Sequence, residues 1–181
     1  MSQEVVPELA PTGVLRAAIN MGNFLLVTGR TPSGDPEGVA PDMAREIAAC
    51  LGVPVAYLPY ARPGELADAA GTAVWDIGLI GAEPQRAEKI AFTPAYVEIE
   101  ATYLVPAGSP LKTIADVDKP GVRILDGQFT AVQQAVGTAR ENTAGAAFLR
   151  DFVEEAKKSG LVTRLIERHM VVGRLSVAPP A

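Results

Sequence analysis

The feature of this sequence that most constrains its fold is an alternation of apolar strand patterns with helix patterns. Short apolar runs bounded by turn residues predict strands, and they fall at residues 14–20, 53–60 and 75–81. Helix patterns separate them, at 41–51 and, more weakly, at about 63–70. A strand–helix–strand–helix–strand order predicts a parallel sheet with helices on both faces. We therefore expect an α/β fold.

The helix at 41–51 has the clearest boundaries. Pro41 suits the first helical position, Asp42 favours the positive end of the helix, and Gly52 follows as a stop. Cys50 is the one cysteine of the chain and falls in the same apolar pattern, so we expect a small buried hydrophobe rather than a nucleophile. The predicted buried face consists of Met43, Ala44, Ile47, Ala48 and Leu51.

Composition excludes several classes of function. The chain has 181 residues, of which 48% are hydrophobic and 20% charged, as in ordinary soluble domains. A net charge of −5 without a basic stripe argues against a nucleic-acid partner. With one cysteine and one histidine, His169, a disulfide is impossible and a His/Cys metal site very unlikely. We expect no metal and no cofactor, and a surface or capping role for His169.

Membrane insertion is not expected either. No apolar segment reaches the length that spans a bilayer. Residues 1–13 lack the basic and apolar regions of a signal peptide. The sequence leaves the compartment open: the protein is cytoplasmic if this N-terminus is native, and exported if a signal peptide has been removed.

The stretch from Trp75 to Tyr96 carries the candidate site. Its apolar strand ends at Gly81, and residues 83–88 follow as a short helical turn with Pro84 near the first position. A strand that runs into a helix N-terminus presents backbone N–H groups to an anion. Arg86 stands one turn further on, and its planar guanidinium suits a carboxylate. The alternative is an ordinary surface arginine over a strand–helix turn.

This stretch resembles lobe one of the bacterial extracellular solute-binding proteins of family 3, the amino-acid type with the type II periplasmic binding fold. The family pattern is a Trp-Asp strand, a Thr-Pro-Glu-Arg-like turn and Phe-Ser-x-Pro-Tyr. The chain has Trp75-Asp76, Glu83-Pro84-Gln85-Arg86 and Phe92-Thr93-Pro94-Ala95-Tyr96. It departs from the pattern at Glu83, where the family has a hydroxyl residue, and in the reversed order of Pro94 and Ala95. Residues 38–52 also match the family, with Met43 in place of leucine.

The resemblance implies that Arg86 grips the α-carboxylate of a small carboxylate or amino-acid ligand. It also implies that the first loop, residues 21–39, borders the ligand cleft; its Gly, Pro and Ser content predicts a turn at 33–35. Core packing is the alternative for Phe24. No catalytic residue is expected. The candidate ligand-binding residues are Asn20, Asn23, Phe24, Gly81, Glu83 and Arg86.

A second lobe is also implied, and most of it is missing from the chain. The segments at 98–105 and 129–138 resemble the two strands that cross between lobes, so we expect both in the sheet of lobe one. Only residues 107–128 lie between them, as a short remnant or linker. The predicted single domain therefore has its core in 14–106 and 129–170. It includes a helix at 141–158 and a shorter one through Ile166, and the tail from Val171 is expected to be loose.

One lobe leaves half of a ligand in water, so we expect at most weak binding and no enzymatic activity. The uncovered face predicts a homodimer, with Val122, Ile124 and Leu125 as an apolar edge. Two alternatives stay open. One is a dehydratase-like enzyme of the same fold, for which Glu83 is the available acid. The other is a self-associating interaction module without a ligand.

Overall fold

The computed structural model describes residues 4–99, 105, 107–117, 119, 121 and 132–181. The helices are α1 (Val5–Leu9), α2 (Val39–Leu51), α3 (Pro63–Asp68), α4 (Ile114–Val117), α5 (Thr143–Lys158) and α6 (Leu161–Arg168). The strands are β1 (Leu15–Asn20), β2 (Gly29–Arg30), β3 (Pro36–Glu37), β4 (Val55–Tyr60), β5 (Ile77–Gly81), β6 (Ile90–Phe92), β7 (Val97–Ile99), β8 (Val132–Ala139) and β9 (Ser176–Val177).

The main sheet of the described chain has the strand order β4-β1-β5-β8-β7-β9, and β6 also pairs with β8. β4, β1 and β5 are parallel. β8 runs antiparallel to β5, β6 and β7. The five predicted strands thus share one sheet, as expected. Of the predicted crossover strands, 100–104 and 129–131 lie outside the described residues.

Helices cover both faces of this sheet, which confirms the predicted three-layer α/β architecture. Successive residues of a strand face opposite sides, and β1 shows this directly. Ala17 and Ile19 belong to the larger core cluster together with α1, α2, α5 and α6. Ala18 belongs to the smaller cluster on the other face, with Leu66 of α3 and Trp75.

Helix α2 begins two residues earlier than predicted, so Pro41 is its third residue. Proline has no backbone N–H, but none is needed at this position. The first hydrogen bond of the helix is donated by the next residue, from Asp42 N to Gly38 O at 3.0 Å. The predicted face is buried. The prediction for Cys50 is wrong: it is exposed, because it lies on the solvent side of the last helical turn, beside Ala49.

The C-terminal tail is ordered by the sheet, and the prediction of a loose tail is wrong. β9 pairs antiparallel with β7, with Val97 opposite Val177. Ala178 N donates to Tyr96 O at 3.2 Å, and Leu175 and Ala178 are buried. The physical reason is the outer edge of β7, whose backbone groups need a partner.

Two further predictions concern loops. β2 and β3 pair antiparallel around residues 31–35, which confirms the predicted turn in the first loop. Within 107–128, the structure describes helix α4 and little else. Residues 122–130 lie outside the described part of the chain, and the predicted apolar edge of Val122, Ile124 and Leu125 lies there.

Candidate ligand-binding site

A cleft of about 450 Å³ opens at the carboxyl ends of β1, β4 and β5. This is the edge of a parallel α/β sheet where ligands commonly bind. β8 runs the other way, so its first residues reach the same edge. The cleft is lined by Asn20, Gly22, Asn23, Phe24, Leu25, Ala61, Arg62, Pro63, Gly81, Glu83, Arg86, Ile99, Val132 and Gln134.

The structure brings all six residues predicted from the sequence to this cleft: Asn20, Asn23, Phe24, Gly81, Glu83 and Arg86. They come from two loops far apart in sequence, one after β1 and one after β5. These two strands are direct neighbours in the sheet, so their following loops meet. Their assignment as ligand-binding residues stays a prediction.

The loop after β1 is shaped by its asparagines. Oδ1 of Asn20 accepts a hydrogen bond from Gly22 N at 3.1 Å, and Oδ1 of Asn23 accepts one from Leu25 N at 3.3 Å. Such side-chain-to-backbone bonds mimic a turn and fix the path of the chain. Both side-chain oxygens are therefore engaged, and each asparagine keeps its NH₂ group as the part that can donate to a ligand.

Phe24 stands at the mouth of the cleft and is 69% exposed. Core packing, the alternative considered for this residue, is thereby excluded. The guanidinium of Arg174 lies over its ring at 5.6 Å from the centroid, a cation–π arrangement that supports the exposed ring. Phe24 is positioned to cover an apolar part of a small molecule.

Arg86 begins a 3-10 turn, Arg86–Glu88, which lies within the short helical turn predicted at 83–88. Its Nη1 donates to Gly81 O at 2.9 Å and contacts Oε1 of Glu83 at 3.0 Å. The side chain is 17% exposed. One nitrogen thus anchors the guanidinium to the end of β5, while Nη2 and Nε make no hydrogen bond within the described residues.

Glu83 gives the cleft its second charge. Its side chain is 53% exposed and one carboxylate oxygen contacts Arg86. A positive and a negative group therefore lie side by side in one cleft, and Arg62, which is paired with Glu65, adds a positive charge at the rim. This pattern matches a molecule that carries both a carboxylate and an ammonium group.

Among the lining residues that were not predicted from the sequence are Arg62, which follows β4, Ile99 of β7, and Val132 and Gln134 of β8. A signal for Gln134 was present. Gln133 and Gln134 are adjacent on one strand, so their side chains must face opposite sides of the sheet. Gln133 donates to the carboxylate of Glu98, and Gln134 is buried.

The Trp-Asp pair before β5 has a structural role. Trp75 Nε1 donates to Leu66 O at 3.1 Å. Asp76 is buried and forms a two-pronged ion pair with Arg16, through contacts of 2.6 and 3.0 Å. The hydrogen bond to Asp76 raises the pKa of the Arg16 guanidinium above its ordinary value. Neither residue lines the cleft.

Among the described residues, no group of three or more His, Cys, Asp or Glu side chains is placed to hold a metal ion. His169 does not line the cleft. Nor does any helix within the described ranges have the length and apolar character needed to cross a membrane.

An α/β lobe with a cleft at the carboxyl ends of its parallel strands is the architecture of a lobe of the periplasmic-binding-protein class. The sequence specifies this class further. The family model of the bacterial extracellular solute-binding proteins, family 3, matches residues 22–172. The chain belongs to this family, whose members are typically periplasmic or extracellular.

Solved structures share the fold at low sequence identity. An ancestral cyclohexadienyl dehydratase has a TM-score of 0.68 at 15% identity, over 95% of this chain and 98% of that one. A Wolinella succinogenes protein described as an ABC-transporter binding component, complexed with lysine, has a TM-score of 0.65 at 17% identity, over 87% of this chain and 95% of that one. The arginine-bound form of domain 1 from TmArgBP has a TM-score of 0.57 at 19% identity, over 82% of this chain and 97% of that one.

No curated protein sequence matches the chain. The identities to the solved structures are all below 20%, so these likenesses establish the fold and not the ligand.

Proposed function

We propose that this chain is a solute-binding-protein-like lobe that binds a small carboxylate, most simply an amino acid, in the cleft beside Arg86, and that it is not an enzyme. The observation that carries the proposal is the anchoring of Arg86. Its Nη1 is fixed to Gly81 O at 2.9 Å, and Nη2 and Nε, which make no hydrogen bond within the described ranges, can donate to a ligand. A guanidinium held in this way can bind a carboxylate with two parallel hydrogen bonds.

An amino acid suits the cleft better than a simple carboxylate. Glu83 is bound to Arg86 through one oxygen, so the pair is nearly neutral and attracts a free anion only weakly. A zwitterion satisfies both groups, because its carboxylate meets Arg86 and its ammonium meets Glu83. Two of the similar structures hold lysine and arginine, respectively.

Binding is expected to be weak, because we propose that the chain supplies a single lobe and that one lobe covers only part of a ligand. Good small-molecule sites bury most of the ligand surface. A single lobe is nevertheless a sufficient binding unit in one case of the same fold, since domain 1 of TmArgBP was crystallised in its arginine-bound form. We expect dissociation constants in the high micromolar to millimolar range, on the order of 4–6 kcal/mol of binding free energy.

The test is a thermal-shift screen of the twenty L-amino acids and a set of small carboxylic acids. A compound that binds only the folded protein raises its unfolding midpoint. The matched variants are Arg86→Ala and Arg62→Ala, because both arginines line the same cleft and only Arg86 is anchored to β5. We expect Arg86→Ala to abolish the shift and Arg62→Ala to keep most of it. Equal shifts in wild type and Arg86→Ala would place the ligand elsewhere.

A dehydratase-like activity is the second candidate. Glu83 places an acid beside the carboxylate anchor, and one structural neighbour is an ancestral cyclohexadienyl dehydratase. An acid–base group works best in an enclosed cleft, and Glu83 is half exposed. Incubation with a hydroxycyclohexadiene carboxylic acid tests this candidate, because loss of the ring hydroxyl together with a ring hydrogen, as water, would create an aromatic ring with its own ultraviolet absorbance. We expect no such absorbance.

The short segment 107–128 is proposed to stand in place of a second lobe, and the uncovered face is proposed to pair with a second copy of the chain. The apolar residues that motivate this, Val122, Ile124 and Leu125, lie outside the described residues. Sedimentation at tens of micromolar tests it, roughly the range in which a modest interface stays formed. Ile124→Glu should convert a dimer to a monomer. A monomeric wild type contradicts the dimer.

A further inference from the structure

Gln134 is the buried polar residue of the cleft. It is 3% exposed, and its Oε1 is enclosed without a hydrogen-bond partner among the described residues. It lines the same cleft as Arg86. Buried polar side chains are nearly always hydrogen-bonded, because an unpaired one lowers the stability of the fold. Nε2 has no hydrogen-bond partner among the described residues either and, unlike Oε1, is not enclosed, so it is the atom of this amide that reaches the cleft.

The backbone of Gln134 is fixed by strands on both sides. It pairs with Gly81 of β5 on one side and with Val97 of β7 on the other. Its carbonyl oxygen accepts a hydrogen bond from Tyr96 N at 2.9 Å. The backbone that carries this amide is therefore held on both sides within the sheet.

The amide nitrogen and the guanidinium converge above Gly81. Nη1 of Arg86 and Nε2 of Gln134 stand 3.4 and 3.5 Å from the point that a Cβ on Gly81 would occupy. Both groups are hydrogen-bond donors. Val132 Cγ1 also stands 3.4 Å from this point. Because Nη1 already donates to Gly81 O and contacts Glu83, the free donors at this edge are Nη2 and Nε of Arg86 and the NH₂ group of Gln134.

We propose that Gln134 is a ligand-binding residue: its Nε2 donates to an oxygen of the same ligand carboxylate that the free donors of Arg86, Nη2 and Nε, bind. This inference rests on the proposed function and deepens it by assigning a second carboxylate-binding group. That group comes from the strand that returns to the sheet after the segment 107–128. Because an amide is uncharged, it adds directionality without disturbing the balance of the Arg86–Glu83 pair.

The orientation of the amide supports a donor role. Its oxygen is the enclosed atom, and a buried carbonyl without a partner is tolerated better than a buried N–H group. The NH₂ group is the part that gains most from a ligand, because it has two protons to donate. A carboxylate oxygen supplies the acceptor that the described residues do not.

The test compares Gln134→Met with the wild type, using the L-amino acid that gives the largest thermal shift and the amine that lacks its carboxylate. For arginine and lysine these amines are agmatine and cadaverine. Methionine keeps the length of the side chain and removes the amide. We expect the dissociation constant of the amino acid, measured by calorimetry or NMR titration, to rise at least tenfold. That of the amine should change less than twofold.

A second variant, Gln134→Glu, places a negative charge at the same point with almost the same shape. It should weaken binding of the amino acid at pH 7.5 more than Gln134→Met does, and it should not weaken binding of the amine. If Gln134→Met does not fold, this variant carries the test, and wild-type affinity for the amino acid in it overturns the inference.

The outcomes separate this inference from the proposed function. If Arg86→Ala abolishes binding and Gln134→Met keeps wild-type affinity, the role of Gln134 is wrong and the Arg86 site stands. If Gln134→Met weakens binding of the amino acid and binding of the amine equally, Gln134 has a packing role, which also overturns the inference. If the wild type binds no amino acid or carboxylate, both proposals fall.

Discussion

Nε2 of His169 lies 2.8 Å from Oδ2 of Asp42, and this contact ties the end of α6 to the first turn of α2. Asp42 is buried and also contacts Arg45 and Arg168. The helix-end position predicted for His169 is correct, but its side chain is 7% exposed and is not a surface group. The carboxylate of Asp42 therefore contacts three side chains: Arg45 of α2, Arg168 of α6 and His169, the residue that follows α6.

The first prediction concerns the pH dependence of this contact. Burial lowers the pKa of His169 below its ordinary value; Glu37 acts against this shift, while the charges of Arg168 and Arg45 add to it. Above the unfolded-state pKa of about 6.5, the imidazole is neutral in both states. As the pH falls below that value, the unfolded chain takes up a proton that the folded protein resists, so stability decreases.

We therefore expect the free energy of unfolding to fall between about pH 6.5 and the lower folded-state pKa, and His169→Gln to flatten this slope. Urea denaturation at several pH values measures both proteins under matched conditions. The comparison removes the contribution of the carboxylates that the two proteins share. Parallel pH profiles for wild type and His169→Gln would contradict the assignment.

The second prediction concerns Arg16 and Asp76. Asp76 is buried, whereas Arg16 is 24% exposed and also donates to Ala73 O, so removing the carboxylate leaves a partly solvated guanidinium and costs about 1–3 kcal/mol. Asp76→Ala also leaves the backbone N–H of Arg16 without its acceptor at 2.8 Å. We expect a loss of about that size in urea denaturation. Glu65→Ala is the control, because it breaks the exposed pair with Arg62 and should cost less than about 1 kcal/mol.

A small loss in Asp76→Ala, comparable to that of Glu65→Ala, would show that the Trp-Asp pair before β5 is not the anchor that its contacts indicate. Binding of an amino acid should survive in Asp76→Ala at a temperature where the variant is folded, because Asp76 does not line the cleft.

The sequence predicts the parts of this fold that depend on local patterns. Strand and helix alternation, the buried face of α2 and the meeting of the loops after β1 and β5 all follow from periodicity and strand order. The family resemblance adds the two crossover strands. These predictions need no knowledge of which distant residues touch.

The parts that escaped prediction depend on contacts between distant residues. The sequence pattern predicts Asp42 as a favourable residue at the start of a helix. It does not predict the contact of Asp42 with His169, which lies 127 positions away. The tail after Val171 has no strand pattern of its own and is ordered only because β7 offers a free edge. Gln134 reads as an ordinary polar strand residue until the cleft is known.

The third prediction concerns Gly38, which caps the start of α2. Its φ is +151°, which side-chain-bearing residues rarely adopt. A Cβ there would overlap the carbonyl of Leu26 and stand 2.8 Å from the Cα of Val27. We expect Gly38→Ala to lower the free energy of unfolding by about 3 kcal/mol or more, from backbone strain and overpacking together.

Gly64→Ala is the matched control for this variant. Gly64 lies in the first turn of α3 with no atom within 4 Å of its Cβ position. Alanine is the better helix former, so stability should stay the same or rise by up to about 1 kcal/mol. Equal midpoints for Gly38→Ala and Gly64→Ala in urea would contradict the close packing of residues 26–27 on the helix start.

The last prediction concerns Gly81, which lies on the floor of the cleft between Arg86 and Gln134. A methyl group there would meet Nη1 of Arg86 and Cγ1 of Val132 at 3.4 Å and Nε2 of Gln134 at 3.5 Å. These are close but acceptable contacts, so Gly81→Ala should fold with a change in stability below about 1 kcal/mol. The methyl group would nevertheless occupy the space next to the guanidinium of Arg86 and the NH₂ group of Gln134.

We therefore expect Gly81→Ala to weaken binding of the best amino acid about tenfold or more, about 1.4 kcal/mol, while its urea midpoint stays close to wild type. Gly64→Ala, which adds the same methyl group outside this cleft, should bind like wild type. Wild-type affinity in Gly81→Ala would mean that the ligand carboxylate does not approach the end of β5. Loss of folding in Gly81→Ala would instead mean that the close contacts around Gly81 cannot relax.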